Sequence, residues 1–249
     1  MKGSLNHKRL RRLKMKIRII LIILIGIIGC GVYIGTYYHA DAQAVGCLEG
    51  NEVVKVEQYH DEIWFMPRRG VADTAIIFYP GAKVDAAAYA PLMQNIVEEG
   101  IVCVIDQMPF HMAVFGVNRA EDTMQRADAI QHWYIAGHSL GGAMAAKFVS
   151  SHQTEMEGLI LLAAYSTEDL SNTSLRVLSI YGDQDGVLNL KKYDQYRTNL
   201  PESLEEIVLK GGNHAQFGMY GKQWKDGEAK MTGEKQRTET AKHIVNFLK

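Results

Sequence analysis

The chain is poor in proline and in cysteine, and it has no acid ahead of residue 19. Five prolines in 249 residues, with 47% apolar and 22% charged side chains, leave little room for extended disorder and suit one folded domain of ordinary size. The three cysteines are scattered: Cys30 in an apolar run near the N-terminus, Cys47 in a small-residue stretch, and Cys103 in a second apolar run. They offer neither a disulfide framework nor metal-ligand spacing, so stability must come from a hydrophobic core. The formal net charge of −1 conceals an asymmetry, because Lys2, Lys8, Arg9, Arg11, Arg12, Lys14, Lys16 and Arg18 come first. The remainder holds 19 basic against 28 acidic residues, a balance that excludes a general nucleic-acid binder.

The neighbouring apolar segment accounts for this basic cluster. Ile19 to Tyr38 carries no charge over twenty residues, and as a helix it would reach roughly 30 Å, the thickness of a bilayer's hydrocarbon core. Tyr33, Tyr37 and Tyr38 fall toward its far end, where amphipathic rings favour the interface. The expected layout is a basic cytoplasmic tail (1–18), a transmembrane signal-anchor (19–38), a linker (39–50) and an exported domain (51–249), with the lipid bilayer as partner. The alternative is secretion after cleavage near Ala42, since Ala40-Asp41-Ala42 has a small-x-small form, although the apolar run exceeds a usual signal segment. Ile27-Ile28-Gly29-Cys30 resembles a lipoprotein box, but the residues after Cys30 stay apolar. Gly31 and Gly35 form a G-x-x-x-G pair, weak support for a dimer.

From Asn51 onward apolar runs alternate with amphipathic stretches, which predicts strands separated by helices. Strands are expected at Val53–His60, Ile63–Met66, Thr74–Tyr79, Ile101–Asp106, Trp133–Ala136, Leu159–Ala164, Val177–Tyr181 and Ile207–Leu209. Most are continuously apolar, as strands covered on both faces of a mainly parallel sheet must be. Helices are expected at Ala86–Glu99, Arg119–Ile130, Leu140–Ser151, Leu190–Thr198 and Glu234–Phe247, with Asn118 and Asn189 as N-caps. The fold class is therefore three-layer α/β.

The sharpest local signal is Gly137-His138-Ser139-Leu140-Gly141, directly after one predicted strand and opening a helix. This is a G-x-S-x-G nucleophile elbow in its required setting, with glycines where backbones crowd and the serine hydroxyl pushed out above the sheet. A serine needs a base to take its proton and an acid to orient that base. Of nine histidines, His214 stands apart in Lys210-Gly211-Gly212-Asn213-His214, just past a strand, at the carboxyl edge where ligands of open α/β sheets bind. The acid falls in Tyr181-Gly182-Asp183-Gln184-Asp185-Gly186. Both aspartates are candidates, Asp183 alternatively making a turn-stabilising backbone bond, and the triad role is assigned to Asp185. The same run mimics the start of a calcium loop but lacks its later ligands, so no metal is expected. The backbone N–H groups of Leu140 and Ala82 are the expected oxyanion donors, Ala82 lying in Tyr79-Pro80-Gly81-Ala82-Lys83.

These motifs, with FYPGAKVDAAAYAPL from Phe78, QMPFHMAVFGVNRAE from Gln107, IAGHSLGGAMAAKF from Ile135, IYGDQDGV from Ile180 and GGNHAQFGMYGKQ from Gly211, resemble the α/β-hydrolase superfamily. Within it they are similar to a bacterial, dienelactone-hydrolase-like branch that often carries an N-terminal membrane segment. The resemblance spans about Asn51 to Gln236 and implies the triad Ser139, Asp185 and His214, favouring Asp185 over Asp183. Lys225 stands where that branch usually has glycine before Asp226-Gly227. The implied chemistry is cofactor-free ester or acyl hydrolysis on a small-molecule substrate, with acyl transfer, peptide cleavage or a non-catalytic binding role as alternatives. Only about a dozen residues separate Ala164 from Val177, too few for a cap domain. Phe110, Met112, Phe115 and Phe217 are expected to line an acyl pocket.

Overall fold

A computed structural model describes residues 2–249 except His60, without the side chains of residues 2–10, 12, 30 and 34. The first members of the basic cluster and the Cys30 box therefore lie outside the described side chains, as does His60 at the end of the first predicted strand. The chain divides into two compact units, residues 1–37 and 38–249.

The first unit is the helix α1 (Lys2–Gly35). Its segment Leu13–Tyr33 is 21 residues long with a mean hydropathy of 2.4 and nothing buried, enough to cross a membrane by length and composition. The helix ends at Gly35, so Tyr37 and Tyr38 stand beyond it. Tyr38 is the first residue of the second unit. The stretch 39–50, expected as a tether, is packed: α2 (Ala42–Gly46) buries Ala44 completely, Asp41 N donates to Met219 O (2.9 Å) and Gln94 Nε2 to Cys47 O (2.8 Å).

The second unit is built on one eight-stranded sheet. Its strands are β1 (Val54–Tyr59), β2 (Glu62–Pro67), β3 (Thr74–Tyr79), β4 (Val102–Asp106), β5 (His132–His138), β6 (Gly158–Leu162), β7 (Arg176–Gly182) and β8 (Leu204–Leu209). Their spatial order is β1-β2-β4-β3-β5-β6-β7-β8. Pairing is antiparallel from β1 through β2 to β4 and parallel from there on, with every predicted strand present. Alternation along β3 explains the continuous apolar runs. Ile76 and Phe78 enter one core with Leu92 and Ile96 of α3 (Ala90–Val97) and Ile244 and Phe247 of α7 (Gly233–Leu248). Ala75, Ile77 and Tyr79 enter a second with Ala120 of α4 (Arg119–Gln125) and Phe148 of α5 (Leu140–Ser151). Both sheet faces are thus covered by helices, giving three layers.

Helix ends reflect side-chain chemistry. Asn189 Oδ1 accepts from Lys192 N (3.0 Å) and caps α6 (Leu190–Tyr196) as expected. Asn118 makes no such bond. The hydroxyl of Tyr79, 41 residues earlier, takes the N–H of Ala120 (3.1 Å) instead, a cap that only the folded chain supplies. α4 stops at Gln125, short of the expected Ile130. Arg126 and Ala127 donate to Thr123 O and Met124 O, three-residue bonds that tighten and close the last turn. Residues 163–175 contain no helix or strand, so no cap is inserted there.

Candidate active site

The carboxyl ends of β3, β5, β7 and β8 form one sheet edge, and the sequence-predicted residues lie on the loops leaving it. Tyr79 pairs with Gly137, which sets the loop carrying Ala82 beside the turn carrying Ser139. That turn is strained as an elbow should be: Ser139 has φ 53° and ψ −121°, outside the regions open to most side chains. The strain is held by crowding. A Cβ at Gly141 would stand 2.1 Å from Tyr79 O, and one at Gly137 2.4 Å from the Gly141 carbonyl carbon, so neither position admits another residue. Ser139 is half-buried. Its hydroxyl, and the N–H groups of Leu140 and Ala82, form no hydrogen bond to a described residue and face the edge uncommitted.

β7 and β8 deliver the other two groups. His214 Nδ1 donates to Asp185 Oδ2 (2.8 Å), and both side chains are 1% exposed. The other Asp185 oxygen accepts from Val187 N and Leu188 N (2.8 Å each), which fixes the carboxylate plane. His214 Nε2, the nitrogen facing away from Asp185, is buried without a partner among the described residues. Asp183 does the turn work that its setting suggested, its Oδ1 accepting from Gly211 N (2.6 Å) and from Gln184 Nε2 (3.0 Å), bonds that hold its carboxyl below the usual range. The fold thus separates the two aspartates of one hexapeptide, Asp185 bonded to His214 and Asp183 bracing the turn.

Two further residues, to which the sequence pattern assigned no role, organise the site. Asp226 accepts from the N–H groups of His214 (3.1 Å), Ala215 (2.8 Å), Gly186 (3.2 Å) and Gly227 (2.8 Å), clasping the histidine loop to the Asp185 turn. Its neighbour Lys225 has φ 68°, a left-handed backbone that glycine adopts more readily than lysine. Tyr89 is the second. Its buried hydroxyl accepts from Gly81 N (3.0 Å) and pairs with His138 Nδ1 (2.8 Å). Burial, then the neighbouring His214, push the His138 pKa well below the ordinary value. The His138 ring packs 4.5 Å from that of His214. Tyr89 and His138 thus join the Ala82 loop, the elbow and the third loop into one buried assembly.

The expected pocket residues do not come together. Phe217 is fully buried, its ring 5.6 Å from His138, and acts as backing for the elbow. Phe110 and Phe115 are 55% and 63% exposed and stack edge to face, with Met112 half-buried beneath. The reason is local: Phe110 and His111 both have positive φ, which turns the 109–111 segment outward. A cavity of about 210 Å³ lies instead between Pro80, Val84 and Ala86 and Gln107, Met108, Pro109 and His111, and one of about 870 Å³ adjoins Asn213, Ala215 and Asp226. Cys47 and Cys103 are free thiols, and no cluster of metal-ligating side chains occurs among the described residues.

Known proteins share this architecture. The alpha/beta hydrolase family matches residues 75–238. No curated protein matches the sequence. Among solved structures, Est1E from Butyrivibrio proteoclasticus is similar at 12% identity and a TM-score of 0.58, covering 79% of this chain and 99% of its own. The same protein with ferulic acid bound gives a TM-score of 0.60 at 12% identity, covering 81% and 97%. A predicted CIB-like hydrolase from Thermoplasma acidophilum is similar at 14% identity and a TM-score of 0.56, covering 78% and 98%.

Proposed function

The chain belongs to the alpha/beta hydrolase family, and on that premise we propose that it is a membrane-tethered serine esterase of the dienelactone-hydrolase-like branch, acting through Ser139, His214 and Asp185. The observation that carries this reading is the buried His214–Asp185 pair packed against the elbow residue His138, beside a strained Ser139. In the reaction Ser139 attacks the ester carbonyl while His214 Nε2 takes its proton. The imidazolium so formed is steadied by Asp185 through Nδ1–H. The N–H groups of Ala82 and Leu140 receive the oxyanion, and Leu140 opens α5, whose positive dipole end adds to the same stabilisation. His214 then protonates the departing alkoxide, and the acyl-enzyme is opened by a water from which His214 removes a proton.

Tethering rests on α1 and on the junction after it. Tyr38 N donates to Lys83 O (2.7 Å) and Tyr38 O accepts from Asp85 N (2.9 Å), a parallel bridge to Val84 that holds the loop carrying Ala82. Cleavage after Ala42 would remove Tyr38 and that support, which favours an uncleaved anchor. The basic cluster in the first half of α1, Lys2 to Arg18, favours an N-terminus in the cytoplasm and a hydrolase domain outside.

Two experiments test the proposal. A fluorophosphonate probe should label Ser139, and Ser139→Ala should abolish ester turnover while leaving stability within about 1 kcal/mol. Turnover retained by that variant would locate the nucleophile elsewhere. Protease added to intact cells should digest the chain beyond residue 40 and spare residues 1–18, and the reverse pattern would overturn the topology.

A further inference from the structure

The residue at which the chain enters the hydrolase domain sits on the rim of the candidate active site. Besides its bridge to the loop carrying Ala82, Tyr38 accepts a hydrogen bond from Trp224 N through its hydroxyl (3.2 Å) and packs its ring 5.6 Å from that of Tyr220. On the other side of the same loop, Lys83 N donates to His111 O (2.7 Å), next to Phe110. Hydrogen bonds therefore string the Trp224 loop, Tyr38, the Ala82 loop and the 109–115 turn into one continuous rim.

That rim is where the domain shows its aromatic side chains to solvent. Trp224 is 76% exposed, Phe115 63%, Phe110 55% and Val114 41%. Of the exposed large aromatics described in the second unit, only Tyr59 lies away from it. Basic residues accompany them on a domain that is acidic elsewhere: Lys222 and Lys225 flank Trp224, and Lys225 Nζ lies 4.1 Å from the centre of its ring. A tryptophan bordered by lysines, beside protruding phenylalanines, matches the lipid interface, where rings sit at headgroup depth and cations meet phosphates.

Chain length ties this rim to a bilayer. Only Thr36 and Tyr37 separate the end of α1 at Gly35 from Tyr38. Three extended residue steps span about 10 Å, so a helix that crosses a membrane must leave it beside Tyr38 and hence beside the rim. We propose that the active-site rim rests on the bilayer surface, with Trp224, Phe110, Val114 and Phe115 seated in the interface, and that the substrate is an ester whose acyl chain lies in that bilayer. This substrate class rests on the tethered-esterase reading. It also explains the outward Phe110 and Phe115, which meet acyl chains at the membrane surface and need not close a pocket.

The test uses the full chain in vesicles of phosphatidylcholine and phosphatidylglycerol. The Trp224 emission is the difference between the wild type and Trp224→Phe. It should be quenched by lipids bearing a spin label near the headgroup and shielded from aqueous iodide. Quenching by iodide with no response to the labelled lipid overturns the proposal. In parallel, the double variant Val114→Asp/Trp224→Asp should hydrolyse a long-chain fluorogenic ester carried in the vesicles about tenfold more slowly, from weakened seating of the rim. A short-chain water-soluble ester should be turned over within about twofold of wild type. Equal loss on both esters, or no loss on the vesicle-borne one, refutes the inference. Failure of the esterase reading shows separately, as absent fluorophosphonate labelling of Ser139 and no turnover of either ester. The quenching measurement judges the rim in that case too.

Discussion

Replacing Tyr89 by phenylalanine isolates the hydroxyl that joins the loop carrying Ala82 to the elbow. The ring is fully buried, 4.8 Å from Phe78 and 5.7 Å from His138, and phenylalanine fills the same volume without opening a cavity of side-chain size. The loss is one oxygen with two partners. Gly81 N–H loses its acceptor and His138 Nδ1 its partner, both in a buried setting with no described group to replace it. A buried polar group left unpaired costs about 1–3 kcal/mol, and with partial relaxation the pair should lower unfolding stability by about 2–4 kcal/mol. Urea denaturation at unchanged m-value measures this. Activity supplies a second readout. Gly81 precedes Ala82, the proposed oxyanion donor, whose N–H in that role would bond more strongly to the transition state than to bound ester, so kcat should fall about tenfold with KM nearly constant. A stability loss below about 0.5 kcal/mol with unchanged kcat would refute the role given to Tyr89. Loss of stability alone would reduce it to packing.

Three other perturbations have defined outcomes. Asp185→Asn keeps the shape of the orienter but offers Nδ1 of His214 no carboxylate, and soluble-ester kcat should drop on the order of 10³–10⁴-fold; a drop below tenfold would shift the acid role to another residue. Lys225→Gly relieves a positive φ and should raise stability by about 0.5–1 kcal/mol, read as a higher urea midpoint, whereas a lower midpoint would show that the lysine side chain matters more than the backbone. Asp106 is buried beside Glu62, and Thr123 Oγ1 lies 2.8 Å from Asp106 Oδ1 and 3.1 Å from Glu62 Oε1 with one proton to give. Burial above all, then the Glu62 charge, raises the Asp106 carboxyl from 3.8 to about 7. The folded state then holds a proton that the unfolded chain releases, so stability from this group is present in acid and declines as pH rises from about 4 to about 7. Asp106→Asn should flatten that slope, removing about 4 kcal/mol of the stability that wild type loses between pH 4 and pH 8. An unchanged pH profile of the melting temperature would show that Asp106 is ionised in the fold.

Some residues announced their places through local pattern. Ile76, Ile77 and Phe78 lie in one unbroken apolar run because both sheet faces are covered, so all eight strands were readable. The strained turn at Ser139 was readable because it requires glycine at 137 and 141 whatever the rest of the chain does, and those requirements sit within five residues. Tyr89, Asp226 and Tyr38 were not. Tyr89 is 49 residues from His138, Asp226 is 40 from Gly186, and Tyr38 lies 186 before Trp224. No periodicity or motif encodes a partner at that distance. The pocket expectation for Phe110, Met112, Phe115 and Phe217 failed for a related reason, since an apolar residue near a sheet edge fits a core, a rim or a cavity equally well until backbone dihedrals aim it.

Composition and pattern alone therefore determined an apolar N-terminal helix, a doubly covered sheet, and the three loops that hold Ser139, Asp185 and His214. Each arises from requirements met within a few neighbouring residues. Packing decided that Asp183 braces the Gly211 turn, which hydroxyl caps α4, how Tyr89 and His138 unite the site, and that the entry residue Tyr38 forms part of its rim. Those outcomes depend on hydrogen bonds between groups that become neighbours only once the sheet has closed its long-range pairings.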